Sequence, residues 1–522
     1  MRRGFSLLAM IAVLAQGPAS AVPPESARGD SQQGLCRKPA ALPVLGAEQT
    51  QQQERPDLRR RSEAYPPSPA PPPPPVIAPM MAPPPMPAPI PAPVAESADS
   101  MADVVVTGSR REGGMAKDSA SPIASIDVTE APAAAETDAR AAMPGYVPPP
   151  RRPRPRPQPG QLTAGEHDDL LNPELYADYV RKSDLAQQVP DLPRLDTSRV
   201  LTVAVKDRAG RPVPFAPVDL ACADGSSLRL TTMADGTVAF FPNMDRLGSK
   251  VRVRAGGEDW RDVTIASGQG GQQVAFTVGQ QAQAVRKLDL MLVIDTTGSM
   301  GDEISYLQSE LRSIVGAIQA RHPGLDLRVG FVFYRDVGDD YVTSTYALSN
   351  DVAGGQRALS NQSAGGGGDY PEAMEQALIR AAGQAWRPDA VKSLLLVADA
   401  PPHDENFGLA WRATEHLRAN RVHIVPVAAS GVADKAEYAM RAMAAATQSR
   451  YTFLTDDSGI GNAHAAPAID CYLVTRLDSL LRGVIDSQLS GRRVEPGEQE
   501  VIRTVGQYDN GKCVIPPEMR FR

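Results

Sequence analysis

Three residues in the middle of the chain are spaced for hard-cation chemistry. In "LDLMLVIDTTGSMGDEISYL", Asp295, Thr297 and Ser299 follow one another at alternate positions, at the end of a solid apolar run. Mg²⁺ takes oxygen ligands in near-octahedral geometry and keeps several waters. Two hydroxyls supply oxygen without charge, and Asp295 can hold such an ion directly or through a water. With so few carboxylates the ion stays electrophilic, so an incoming carboxylate can complete its shell. A strand end that runs into a helix N-terminus favours an anionic ligand at the same place.

The elements needed to position these residues are legible around them. "LRVGFVFY", "SLLLVA", "VHIVPVA" and "RYTFLT" are further apolar runs, alternating with helical stretches such as "EISYLQSELRSIVGAIQA" and "PEAMEQALIRAAGQAW". That alternation predicts an α/β fold with a doubly wound, mainly parallel sheet over residues 286–490. In such sheets ligands bind at the carboxyl ends of the strands. Asp336, Asp339 and Asp340 follow one strand and Asp456 and Asp457 another, so a parallel sheet brings them to the same end as Asp295. They form a candidate acidic rim with His403, selecting a partner with basic flanks or holding a second ion; the competing reading is that they are solvated loop carboxylates that cap turns.

This pattern resembles the von Willebrand factor A domain, whose metal-ion-dependent adhesion site opens with D-x-T/S-x-S. The resemblance implies that Asp399, closing a strand in "LLLVADAPPH", is a second acidic ligand. It also implies a threonine from a glycine-rich loop before a helix. Here that loop reads "AGGGGDYPEAM", with Gly368 at the threonine position and Asp369 beside it. Either Asp369 supplies the missing ligand or the site has one protein ligand fewer. The implied cofactor is Mg²⁺, with Mn²⁺ or Ca²⁺ as alternatives. The implied partner is a protein that supplies a carboxylate. "LTAGE", "VGFVFYRDVGDDYV", "IVPVAASG" and "FLTDDSGIGNAH" extend the likeness, over Leu162 to Ile485, to a family of secreted bacterial A-domain proteins.

Before this domain, residues 198–280 alternate apolar and polar residues at period two between regular turn signals. They predict a small β-sandwich, similar to Ig-like or carboxypeptidase-regulatory-like modules. Residues 161–197 read as a helical linker, with Thr163 and Glu166 as a capping box. Residues 22–160 read as a disordered leader, dominated by two proline-rich spacers. Between the spacers, "DVVVTGSRR" (residues 103–111) resembles the TonB box, which pairs as an added strand with a TonB-like energy-transducing protein. The competing reading is a β-prone patch without a partner.

Residues 1–21 have the form of a cleaved secretory signal: Arg2 and Arg3, a short apolar core, and Ala19-Ser20-Ala21 before the cut. Export to the periplasm or cell surface follows, with no transmembrane helix after cleavage. In that oxidising setting Cys471 and Cys513 are a candidate disulfide that holds a C-terminal tail (residues 491–522) on the A domain, while Cys36 and Cys222 read as free. A net charge of −7 over 522 residues gives no case for nucleic-acid binding. Without a nucleophile–base pair, the chain reads as a binding protein and not an enzyme. The rivals are a structural envelope protein with a merely stabilising cation and a metal-dependent hydrolase.

Overall fold

The computed structural model describes residues 35–45, 157–189, 191–266 and 271–514. The proposed signal, the first proline-rich spacer and the TonB-box-like segment lie outside the described residues.

The first ordered element departs from the sequence reading. Thr163–His167 is a strand, β1, not the start of a helix. All five of its residues are buried, so local capping chemistry gives way to two flanking strands. Helix α1 (Pro173–Lys182) follows. Seven strands then build a sandwich: β2 Leu201–Asp207, β3 Pro217–Ala221, β4 Ser227–Thr231, β5 Thr237–Phe240, β6 Lys250–Ala255, β7 Arg261–Thr264 and β8 Gln272–Val278. One sheet has the order β5-β2-β8 and the other β4-β3-β6-β7. Their inward residues, among them Val203, Val218, Phe240, Val253 and Phe276, share one apolar core.

The second layer system begins with β9 (Lys287–Asp295), α2 (Ile304–Arg321), β10 (Asp326–Tyr334) and β11 (Thr343–Ser349). It continues through α3 (Val352–Ser360), α4 (Met374–Ala382), β12 (Val391–Ala398), α5 (Phe407–Ala419), β13 (Val422–Ala428), α6 (Asp434–Ala446) and β14 (Tyr451–Leu454). It closes with β15 (Tyr472–Arg476), α7 (Leu477–Ser490) and β16 (Arg503–Val505). The sheet order is β11-β10-β9-β12-β13-β14-β1-β15-β16. The five adjacent strands β10-β9-β12-β13-β14 run parallel to one another, and β11 is antiparallel at the edge. Strand β1 lies antiparallel between β14 and β15. Apolar cores cover both faces, one packed on α2 and α7, the other on α4, α5 and α6. Burial on two faces explains why β9 and β12 read as unbroken apolar runs. The span 286–490 thus lacks a strand from the interior of its own sheet, because β1 precedes the sandwich in the chain.

Cys36 and Cys222 are joined in a disulfide, which corrects the reading of both as free thiols. Residues 35–45 are a strap across the junction of the two layer systems. The Arg37 N–H donates to the Asp245 carbonyl at 2.9 Å, and its guanidinium makes a two-pronged pair with Glu415 of α5 at 2.8 and 2.9 Å. Leu42 and Leu45 pack against the α4–α6 side of the large sheet. Nothing in a proline-rich stretch signals such contacts, since they are all remote in sequence. Replacing Cys222 by Ser is expected to lower unfolding free energy by about 2–4 kcal/mol. The difference should vanish when both proteins are measured with their disulfides reduced; a variant as stable as oxidised wild type would show that the strap holds without the bond. A second disulfide joins Cys471 to Cys513. The tail it holds adds β16 to β15 as the last strand.

Candidate cation centre

The sheet reverses its winding between β9 and β12, which lie side by side although β10 and β11 intervene in the chain. Such a switch point leaves a crevice at the carboxyl ends of the strands. Asp295 is the last residue of β9 and Asp399 follows β12 by one, so the register brings both carboxyls into that crevice.

The loop after β9 is held from three sides. Thr296 donates its N–H and hydroxyl to the Tyr334 carbonyl at 2.9 and 2.8 Å. The Thr297 N–H and hydroxyl both donate to Asp295 Oδ1, at 2.9 and 2.6 Å. The Thr297 and Ser299 hydroxyls are 3.1 Å apart. These three side chains therefore converge. The glycine-rich loop crosses over them: Gly298 N–H donates to Gly366 O at 3.1 Å, and Gly365 N–H to Thr296 O at 3.0 Å. A Cβ at Gly298 would stand 2.9 Å from that same Gly366 oxygen. The close crossing thus requires glycine there, and the run of four glycines makes room for it.

Asp295 is fully buried and Asp399 nearly so, yet Asp295 Oδ2 and Asp399 Oδ1 meet no donor in good hydrogen-bond geometry; the buried Tyr334 hydroxyl beside Asp295 is likewise without a partner in such geometry. A buried carboxylate oxygen without a donor costs free energy unless the acid is protonated or a cation is present. Burial, and then the Asp399 charge, pushes the Asp295 carboxyl above the usual carboxylate range. Burial likewise raises Asp399, opposed by a hydrogen bond from Ser299. The donor set of two carboxylates and two hydroxyls is all hard oxygen, so these residues fit a divalent cation such as Mg²⁺. Among the described residues no three His, Cys, Asp or Glu side chains converge closely enough to hold a metal ion. The hydroxyls are therefore needed in any ligand set.

The other candidates sort into three groups. Asp336 meets His403, with Nε2 2.8 Å from Oδ1, and Asp339 accepts from the Asp336 and Gly367 N–H groups at 3.1 and 2.8 Å. These residues border the glycine loop. Burial lowers His403, but its hydrogen bond to Asp336 and the surrounding acids outweigh this, and the net shift is upward. Asp340 and Asp369 are exposed, and Asp340 faces Arg335 at 3.5 Å. Asp457 is clamped by Arg503 of β16 at 2.8 and 2.9 Å, so it holds the tail and does not line the rim. Asp456 holds His464, whose other nitrogen is 2.7 Å from Glu303, just past the Ser299 loop.

Two acids missed in the sequence face this region. Glu372 is buried with Oε2 unpartnered. Burial, and then the charges of Asp295, Asp336, Asp399 and Asp339, push its carboxyl up to about 9. Glu375 is also buried, and burial raises it to about 7. The signal was in "DYPEAMEQ", but acids there read as complements to a helix N-terminus.

Residues 289–465 match the family model described as the von Willebrand factor A domain. Over 123 residues the chain is 31% identical to the alpha-protein kinase vwkA of Dictyostelium discoideum, covering 23% of this chain and 19% of that protein. Over 122 residues it is 32% identical to the putative ariadne-like RING finger protein R811 of Acanthamoeba polyphaga mimivirus, covering 23% and 12%. The chain thus spans a fifth or less of these curated relatives. Among solved structures, the conserved hypothetical protein BatB from Bacteroides thetaiotaomicron aligns at TM-score 0.27 and 10% identity, covering 38% of this chain and 98% of that one. The pilus adhesin SpaC from Lactobacillus rhamnosus GG aligns at TM-score 0.28 and 13% identity, covering 40% and 30%.

Proposed function

Because this chain carries a von Willebrand factor A domain over residues 289–465, we propose that it is an exported, non-catalytic binding protein that captures a protein partner through a divalent cation. The observation that carries this reading is the pair of buried, unpartnered oxygens, Asp295 Oδ2 and Asp399 Oδ1, beside the Thr297 and Ser299 hydroxyls. Asp295, Thr297, Ser299 and Asp399 would hold the ion. When bound, it supplies a positive centre that attracts a carboxylate from the partner. The protein's part is to fix the oxygens: Tyr334 O anchors Thr296, Thr297 steers Asp295 Oδ1, and the glycine loop covers the turn. Asp336, Asp339 and His403 border this centre and favour a partner with basic residues beside its acid.

Two disulfides suit an oxidising compartment, as the signal-like residues 1–21 would require. Among the described residues no helix is long and apolar enough to cross a membrane. Residues 103–111 are proposed as a strand-pairing segment for a TonB-like protein; their deletion should leave cation binding intact and abolish that capture.

The decisive experiment is thermal unfolding of the full chain with and without Mg²⁺, Mn²⁺ or Ca²⁺, beside Asp295→Ala. An ion at a hundred times its dissociation constant stabilises the fold by about 2.7 kcal/mol. Wild type should show that shift and the variant should not. The same ion response in both proteins would remove Asp295 from the centre and overturn the reading.

A further inference from the structure

We propose that Glu372 takes the place of the threonine that the glycine-rich loop lacks, and that it does so by holding a water bound to the cation, not by ligating the cation itself. This rests on the cation centre proposed above.

The loop Gly365–Gly368 brings no side chain to the centre, only backbone. What stands behind it is Glu372. A Cβ placed on Gly367 would lie 2.9 Å from Glu372 Oε1 and 3.4 Å from the Thr297 Cβ. Glu372 and Thr297 thus both stand in the space that a side chain on Gly367 would fill. The backbone of Glu372 is fixed beside the other half of the centre. Its N–H donates to Pro401 O at 3.0 Å and it bridges Pro402, two and three residues beyond Asp399. This link fixes the point from which its side chain starts.

The side chain is only 3% exposed and its Oε2 has no donor. Among the described residues no Lys, Arg or His makes an ion pair with it. Its charged neighbours are Asp295, Asp336, Asp339 and Asp399. A buried acid surrounded by acids carries its charge only when a positive or donating group comes to it. Among the described residues no three acids converge on one point, so Glu372 does not join both Asp295 and Asp399 as a direct ligand. Mg²⁺ retains waters and those waters are strong donors, so an outer carboxylate is the acceptor that the arrangement provides. Asp369, adjacent in sequence to the absent threonine, is exposed and carries no such constraint.

The test is calorimetric titration of Mg²⁺ and Mn²⁺ into the full chain, its Glu372→Gln variant and its Asp369→Asn variant, with metal-free melting of each. Glu372→Gln should weaken binding about 10- to 100-fold, the range found for outer-shell partners of a metal. Asp369→Asn should stay within about twofold of wild type. Metal-free Glu372→Gln should melt at or above the wild-type temperature near neutral pH, because the metal-free acid, raised to about 9, is already neutral there and glutamine fills the same space. A purely structural role would lower that temperature and leave affinity unchanged, which would overturn the proposal. So would lost binding in Asp369→Asn with Glu372→Gln unaffected; in either case the centre itself would stand. If wild type binds neither ion, the centre and the role of Glu372 fall together.

Discussion

A chain that begins at Arg286 is expected to lose the cooperative fold of the large sheet, although it contains every residue of the candidate cation centre. Strand β1 pairs with β14 through Ala164–His167 and with β15 through Thr163–Gly165. Without it, two edges in the interior of the sheet have no partner, and buried backbone groups on both lose their hydrogen bonds. Leu162 and Ala164, both fully packed, leave the core. Two ion pairs break as well. Glu166 accepts from Arg450 at 2.9 Å, and Asp169 from Arg441 at 2.7 Å, with all four side chains buried. Removing one partner of a buried pair costs about 3–5 kcal/mol. Two such losses reach the whole stability of an ordinary domain, about 5–15 kcal/mol. Urea unfolding followed by circular dichroism compares residues 157–522 with 286–522. A single cooperative transition at the same midpoint in the shorter chain would show that β1 is dispensable.

Arg441→Ala is expected to be the most damaging single substitution outside the apolar cores. Arg441 is 1% exposed on α6. Its guanidinium donates to Asp169 at 2.7 and 3.2 Å, to Glu437 at 3.2 Å and to the Ala468 carbonyl at 2.9 Å. Its charge also sits 4.1 Å from the centre of the Tyr179 ring. Removing it leaves buried Asp169 with only His167 at 3.5 Å and Glu437 with only the Ala468 N–H, so the cost should be about 3–5 kcal/mol. Lysine should not restore it, since a single ammonium cannot fork across Asp169 and also reach Glu437 and the Ala468 carbonyl. Chemical denaturation reads both variants. A loss below about 1 kcal/mol in Arg441→Ala would mean that the network relaxes around the gap. A fully stable Arg441→Lys would mean that charge alone, without the fork, holds Asp169.

Both expectations concern residues that sequence reading misread or left unremarked, and the reason is the same in each. Arg441 and Asp169 are 272 positions apart. Thr163 and Glu166 match the spacing of a capping box, and local chemistry alone favours a helix start. Two strands contributed by residues 451–454 and 472–476 override it. Cys36 is subject to the same limit, because its partner lies 186 positions away.

The amino-acid sequence by itself determined the period of the sandwich strands and of the strands and helices from Arg286 onward, though not of β1. It therefore determined the alternating strands and helices, the sandwich before them, and the delivery of Asp295, Thr297, Ser299 and Asp399 to strand ends. These are local properties, carried by runs of apolar residues and the small residues that stop them. Only the tertiary structure decided which acids belong together. Asp456 and Asp457 are neighbours in the chain, yet one holds His464 and the other Arg503. Asp369 and Glu372 stand three apart, yet only Glu372 is buried against the centre. A carboxylate's role depends on what lies within a few ångströms of it, and here those neighbours come from strands and loops far away in the chain.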